Sequence, residues 1–253
     1  MRLILLVLLI FFTSCNKKKE CIDIDGNAYE TIQIGEQLWM AENLKTTHYC
    51  DGTAIPTGYS NSEWVKLTVD AYAVYPAYND KASITSCKED CANVYGNLYN
   101  WYVTNDSRGI CPEGFHIPSY KDWIILTNYL APESSDSLLG HLPINTIAGG
   151  MMKSLGIIDN GDGYWNKDDL PPIHEVGTNE SGFAAFPGGY RNCNRPNGGH
   201  YEWMGKVGYY WSSSESNGNL DMAWAQELWY HDHKIISFYH NQWTGFSIRC
   251  LGD

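Results

Sequence analysis

The sequence predicts an α+β domain that is rich in loops, in which an antiparallel sheet packs with two or three helices and the two terminal strands pair. Strand patterns lie near both ends of the chain, and helical patterns lie between them. The 24 glycines and 10 prolines are spread along the whole chain, as expected when short strands are joined by many turns. Strands segregated from helices in this way are typical of an α+β fold.

The predicted strands are marked by turn residues and by aromatic and β-branched side chains. Near the amino terminus, residues 22–24 and 28–34 flank the turn sequence Asp25-Gly26-Asn27, which predicts a hairpin. Four stretches near the carboxyl terminus are rich in aromatic and branched residues, which predicts an antiparallel sheet. They are residues 209–213, 223–230, 234–239 and 245–250.

The predicted helices repeat apolar residues every three or four positions. The clearest begins with the capping pair Ser119 and Asp122, because a serine and an acidic residue at this spacing satisfy the free amides of a first turn. The last is ended by Gly156. The three helices are expected at residues 95–103, at 120–130 and around 147–155.

The amino terminus is typical of a bacterial secretory signal. Arg2 precedes an apolar run of ten residues, and small residues then lead into Cys15, whereas a helix needs about 20 residues to span a membrane. The ending resembles the lipobox, in which the cysteine is acylated. An ordinary signal peptide cleaved nearby is the alternative. We expect a signal peptide (1–14), a lipidated cysteine with a short tether (15–20) and one domain (21–253), held in the cell envelope at the outer membrane or cell surface.

The charge of the chain excludes nucleic acid as a partner. The sequence has 17 basic and 29 acidic residues. Removal of residues 1–14 removes only Arg2 from these, so the balance becomes 16 minus 29, or −13. A surface this acidic repels phosphate backbones. The basic residues 17–19 follow Cys15 and either contact anionic lipid headgroups or form a solvated tether.

The eight cysteines predict an oxidising compartment, where disulfides persist. If Cys15 is acylated, seven remain, so at least one thiol is unpaired or pairs between molecules. Cys87 and Cys91 are expected in a local disulfide or in a link from that loop to Cys21 or Cys50. A metal at this pair is disfavoured, because no second ligand pair follows at zinc-like spacing.

The candidate metal ligands are weak in this sequence. His231 and His233 would share one face of a strand, where two imidazoles can hold a transition metal; an exposed strand is the alternative. Asp23, Asp25 and Asn27 resemble the start of a calcium loop, although the late glutamate of an EF-hand is missing and the segment has a hairpin pattern. We expect no cofactor beyond calcium at most. The acidic stretch 159–163 reads as a similar turn.

Six segments, in the same order, resemble the Fibrobacter succinogenes major paralogous domain, a family of exported proteins and lipoproteins of Fibrobacter and Bacteroidetes. They cover nearly the whole mature chain, and the family supplies no reaction. The segments are DIDGNAYETIQIGEQLWMAENLKT (23–46), YGNLYNWY (95–102), CPEGFHIPSYKDW (111–123), NESGFAAFPGGYR (179–191), YYWSSSE (209–215) and GFSIRCLGD (245–253).

That family is in turn similar to the C-type-lectin-like fold group, which includes formylglycine-generating enzymes. The resemblance implies that the chain ends pair in one sheet and that Cys111 and Cys250 form a disulfide. Those enzymes bind copper through two cysteines near the carboxyl end, whereas this chain has only Cys250 there and Cys193 lies far back. No hydrolase elbow, phosphate-binding loop or HExxH helix is present. We therefore expect no catalysis.

The 10 tryptophans and 18 tyrosines are the best indication of a ligand, because exposed Trp and Tyr present flat apolar faces that suit sugar rings. Trp39, Trp101, Trp123 and Trp211 are assigned to the core. The resemblance places a ligand face in the carboxyl-terminal third. Packing under long loops is the alternative for its aromatic residues. The candidate ligand-binding residues are Arg195, His200, Tyr201, Trp203, Trp229 and Tyr230.

The expected function is therefore a lipid-anchored envelope module that binds a glycan or a surface protein without catalysis. Its membrane contact would be made through the lipid. A structural or assembly lipoprotein without a small-molecule ligand is the first alternative, and a metal-dependent enzyme is the second.

Overall fold

The computed structural model describes residues 20–76, 87, 90–134, 137–139, 142–157, 164–166, 177–194, 196–216 and 221–253. The predicted signal peptide, Cys15, the acidic stretch 159–163 and Arg195 lie outside the described residues. Across the described ranges, no helix has both the length and the apolar character needed to span a membrane.

Fourteen strands and five α-helices form within these ranges. The strands are β1 (Glu20–Ile22), β2 (Ala28–Ile34), β3 (Gln37–Met40), β4 (Tyr72–Ala73), β5 (Leu98–Tyr99), β6 (Phe115–His116), β7 (Ser137–Leu139), β8 (Leu142–Asn145), β9 (Tyr190–Arg191), β10 (Tyr201–Glu202), β11 (Val207–Glu215), β12 (Met222–Trp229), β13 (Ile235–Asn241) and β14 (Leu251–Gly252). The helices are α1 (Asn61–Trp64), α2 (Cys91–Tyr95), α3 (Trp101–Thr104), α4 (Tyr120–Leu130) and α5 (Ala148–Met152).

The first sheet joins the two ends of the chain. Its strand order is β1-β2-β3-β14-β6. Leu251 of β14 lies opposite both Trp39 of β3 and His116 of β6, and all neighbours run antiparallel. The predicted hairpin at Asp25-Gly26-Asn27 forms between β1 and β2. The prediction of an antiparallel α+β fold is confirmed, and the two chain ends meet in one sheet as expected, although β14 pairs with β3 rather than with β1.

The second sheet separates two hydrophobic cores. Its order is β11-β12-β13-β8-β7, and its strands are antiparallel. Because side chains alternate between the faces of a strand, Trp211 enters one core with Ala225, while Tyr210 enters the other with Leu228. The predicted strands 209–213, 223–230 and 234–239 are confirmed. Residues 245–247 instead make isolated bridges, and pairing resumes only at β14.

Helix α4 has the predicted bounds and the predicted cap. The Ser119 hydroxyl accepts a hydrogen bond from the Asp122 amide, and the Asp122 carboxylate accepts one from the Ser119 amide at 2.8 Å. Trp123 and Leu126 are fully buried against the second sheet. The four tryptophans assigned to the core, Trp39, Trp101, Trp123 and Trp211, are all buried.

The helix predicted over residues 95–103 is wrong. Helix α2 ends at Tyr95 and is capped by Gly96. The φ of Gly96 is +75°, and a Cβ at this position would lie 2.6 Å from Cβ of Asn43. The Asn97 side chain then donates to the Lys45 carbonyl at 2.9 Å, and the chain extends as β5 before α3 begins. The helix expected at 147–155 is also shorter: α5 ends at Met152 because the next residue is extended.

Two disulfides link cysteines within the described part of the chain. Cys111 and Cys250 form one, as the family resemblance implied, and Cys87 and Cys91 form the other. The first links the segment before β6 to the residue before β14, with Cys250 fully buried. Cys50 is an exposed residue that lies outside any disulfide. Its thiol is partly buried, and this burial, followed by the charge of Asp51, raises the pKa of the thiol.

Candidate ligand-binding cleft

A cleft of about 410 Å³ opens on the outer part of the second sheet, on the face that also carries the first core. Strands β11, β12 and β13 form its floor, and the segment around β9 forms one wall. Its lining is dominated by aromatic residues, which are Tyr190, Trp203, Tyr209, Trp229, Phe238, Tyr239, His240 and Phe246. Polar groups complete the lining, among them Asn192, Asn194, Asn241 and Thr244.

The floor is built by the alternation of side chains along the strands. Tyr209 on β11 lies opposite Glu227 on β12, and Val207 lies opposite Trp229. His240 on β13 reaches the same face, where its ring is 5.3 Å from the Tyr209 ring. Three adjacent antiparallel strands therefore hold these side chains on rigid backbone.

Trp203 and Trp229, two of the predicted ligand residues, come together at the cleft. Their ring centroids are 5.0 Å apart and inclined by 55°. Trp203 is 43% exposed and has φ of +62°. A bulky residue in this conformation costs about 1–3 kcal/mol and is retained mainly where the surroundings enforce it.

The turn that holds Trp203 is fixed by a close backbone approach. Its carbonyl accepts hydrogen bonds from the amides of Lys206 and Val207 at 2.9 and 3.2 Å. Gly189, with φ of +64°, packs so closely that a Cβ would lie 2.6 Å from the Met204 nitrogen. The strained Trp203 is therefore presented to the cleft by a rigid turn.

Two carboxylates stand behind the rings. Glu227 accepts a hydrogen bond from Trp229 Nε1 at 3.2 Å and contacts His240 Nε2 at 2.8 Å. Glu202 accepts one from the Tyr190 hydroxyl at 2.7 Å. Burial, then the bond to Glu202, raises the pKa of Tyr190. Burial, then the charge of Glu227, raises the pKa of Tyr209. Both phenols therefore stay protonated at neutral pH.

The other predicted ligand residues in the described ranges lie away from this cleft. His200 Nδ1 is 2.8 Å from the Asn61 amide nitrogen. Tyr201 is half-buried, with the Arg191 guanidinium 5.0 Å from its ring centre. Tyr230 packs against the second core. The structure thus gathers Trp203 and Trp229 and leaves these three apart.

Sequence reasoning missed most of the cleft. Tyr209, Glu227 and His240 follow the two-residue period of strands β11 to β13, so alternation along the predicted strands would have placed them beside Trp229. Tyr190 and Glu202 meet because β9 pairs with β10, with Glu202 opposite Tyr190. Two-residue strands give no periodic signal, so that pairing had no mark in the sequence.

The strand expected to carry His231 and His233 is absent, and this correction removes their shared face. Strand β12 ends at Trp229, and both histidines lie in the turn before β13, where the Asp232 carboxylate accepts a hydrogen bond from the Lys234 amide at 2.9 Å. The His231 ring packs 4.9 Å from that of Tyr230.

The acidic hairpin turn is occupied by hydrogen-bond donors of the protein itself. Asp23 accepts from the amides of Asp25 and Asn27 and from the Tyr29 hydroxyl, at 2.6–3.0 Å. The Asp25 carboxylate accepts hydrogen bonds from Thr47. Burial alone would raise the pKa of Asp25, but these and further hydrogen bonds outweigh it, so the pKa is lowered. Within the described ranges, no three His, Cys, Asp or Glu side chains are grouped as metal ligands.

A larger groove, of about 540 Å³, lies elsewhere and is lined in part by Glu30, Glu42 and Asn179. Its two aromatic side chains, Tyr164 and Phe186, pack edge to face on each other at 5.0 Å. The cleft with Trp203 is the better candidate site, because Trp203 is 43% exposed whereas Tyr164 and Phe186 are only partly exposed.

Comparison with known proteins gives one result. The profile of the Fibrobacter succinogenes major domain matches residues 32–251, which is nearly the whole chain. No curated protein and no solved structure matches.

Proposed function

The chain belongs to the Fibrobacter succinogenes major domain family, and on that premise we propose that it is a non-catalytic, glycan-binding module of the bacterial cell envelope. Its site is the cleft between Trp203 and Trp229. A lipid on Cys15 holds it at the outer membrane or cell surface. The signal-like amino terminus, the family resemblance and the two disulfides support this location, since disulfides persist in oxidising compartments.

The observation that carries the proposal is the pair of inclined indoles at an open cleft. Trp203 is one of the exposed large apolar side chains of the described structure, and its backbone is strained. Strain of this kind concentrates at functional sites. Indole faces beside amide groups, here those of Asn192 and Asn241, suit the apolar faces and hydroxyls of sugar rings.

We also assign the domain to the C-type-lectin-like fold group. The antiparallel pairing of β3 with β14 and the disulfide that ends at Cys250 support this assignment. In that group the loop-rich carboxyl-terminal part forms the ligand face. The cleft lies in this part of the chain.

A glycan array with purified protein tests the proposal. We expect saturable binding to a subset of glycans, weakened about five- to thirtyfold by Trp203→Ala or Trp229→Ala, because stacking on one aromatic ring contributes about 1–2 kcal/mol. Trp224→Ala is the matched control: Trp224 lies on β12 as Trp229 does but faces the other side of the sheet, where its ring packs 4.6 Å from that of Tyr120.

Two results would contradict the proposal. An array that stays blank with folded protein would favour the alternative of an assembly lipoprotein without a small ligand. Equal loss of binding in all three variants would mean that the substitutions act through stability, which thermal unfolding of each variant measures independently.

A further inference from the structure

Among the described residues, the charged groups that bond to the rings of the cleft are two carboxylates. Glu202 and Glu227 stand behind its rings, and none of the described residues that line it is a lysine or an arginine. Lys153 does contact the backbone of Trp229, but from the far side of the sheet. There its Nζ donates to the Trp229 carbonyl and lies 5.0 Å from the ring centre of Trp165, in the second core.

The hydrogen bonds of the rings increase the negative character of the cleft. Trp229 donates its indole N–H to Glu227, and Tyr190 donates its hydroxyl to Glu202. A ring that donates to an anion is polarised, so that electron density on its π face rises. Negative π faces attract cations.

The rings also lie at steep angles to one another rather than form a flat platform. Trp203 is inclined by 71° to Tyr190 and by 55° to Trp229, and Tyr209 is inclined by 77° to Trp229. Inclined faces surround a compact group from several sides, which is the arrangement that recognises quaternary ammonium groups.

We propose that this cleft binds an organic ammonium group, as carried by an amino sugar, in preference to a neutral group of the same shape. The inference rests on the proposed function, because it names the ligand class of the same site. The ammonium contacts the faces of Trp203 and Trp229, and the carboxylate of Glu227 supplies charge behind them.

The test compares choline with 3,3-dimethylbutan-1-ol, its carbon isostere, by following the indole N–H signals of the full-length protein by NMR. We expect choline to bind at least tenfold more tightly and to shift the signals of Trp203 and Trp229. Trp229→Ala should remove this binding, and Trp224→Ala should leave it intact.

Glu227→Gln tests the charge separately from the packing. It keeps an oxygen that can accept from the Trp229 indole, so we expect the preference for choline over its isostere to fall at least threefold while the isostere binds as before. Equal or tighter binding of the isostere to the wild-type protein would overturn the inference. So would an unchanged preference in the Glu227→Gln variant.

Two further probes distinguish an ammonium group carried by a sugar from one carried by a lysine side chain. They are a trimethylated glucosamine tetramer and trimethyllysine amide. Tighter binding of the sugar supports a glycan source. Tighter binding of the lysine derivative supports the ammonium class and contradicts the glycan proposal. Neutral glycans that bind through Trp203 while choline does not would overturn this inference and leave the proposed function standing.

Discussion

Removing the disulfide between Cys111 and Cys250 should destabilise the protein more than removing the one between Cys87 and Cys91. The two bonds close loops of very different length, with sequence separations of 139 and 4 residues. A crosslink restricts the unfolded chain in proportion to the logarithm of loop length. The expected stabilisation is thus about 5 kcal/mol for the long loop and about 2 kcal/mol for the short one.

Equilibrium unfolding in urea, followed by tryptophan fluorescence, measures the difference. The double variants Cys111→Ala with Cys250→Ala and Cys87→Ala with Cys91→Ala each remove two buried sulfur atoms, so their packing losses are similar. We expect the first to lose about 3 kcal/mol more of the free energy of unfolding. Equal losses, or a larger loss from the short loop, would refute the loop-entropy explanation.

Two further predictions concern the hairpin turn and the anchor. Asp25→Asn should lower the free energy of unfolding by about 1.5–3 kcal/mol at neutral pH, because Thr47 donates to the charged carboxylate. The folded-state pKa of Asp25 lies below its ordinary value. This contribution is therefore complete above the ordinary pKa and is lost as the pH falls through the folded-state pKa; a pH-independent difference in urea midpoints would contradict it. For the anchor, cells given radiolabelled palmitate should label the wild-type protein and not Cys15→Ser, and a variant that is still labelled or normally processed would argue against lipidation.

Local signals in the sequence predicted those elements whose cause is itself local. The hairpin at Asp25-Gly26-Asn27 and the cap of α4 depend on residues within a few positions of each other, and both formed as expected. The predicted helix over 95–103 does not form, because Gly96 and Asn97 contact residues 43–45, which are distant in the sequence. Apolar spacing cannot report such tertiary contacts.

The candidate site shows the same difference between what local sequence predicts and what tertiary contacts determine. Trp203 and Trp229 were selected for their chemistry, and both line the cleft. His200 and Tyr201 were selected in the same way, yet contacts with Asn61 and Arg191 hold them elsewhere. Residue type indicated which side chains bind flat rings, while only the pairing of strands determined which of them share a surface.

The inner position of β14 in the first sheet constrains when the molecule can fold. Its two residues lie between β3 and β6, so both neighbours keep open edges until Leu251 and Gly252 have been synthesised. A chain cut short before them would expose two unpaired edges, which are prone to aggregate, and a longer truncation would also lose Cys250. The first sheet therefore closes only after nearly the whole domain has been synthesised.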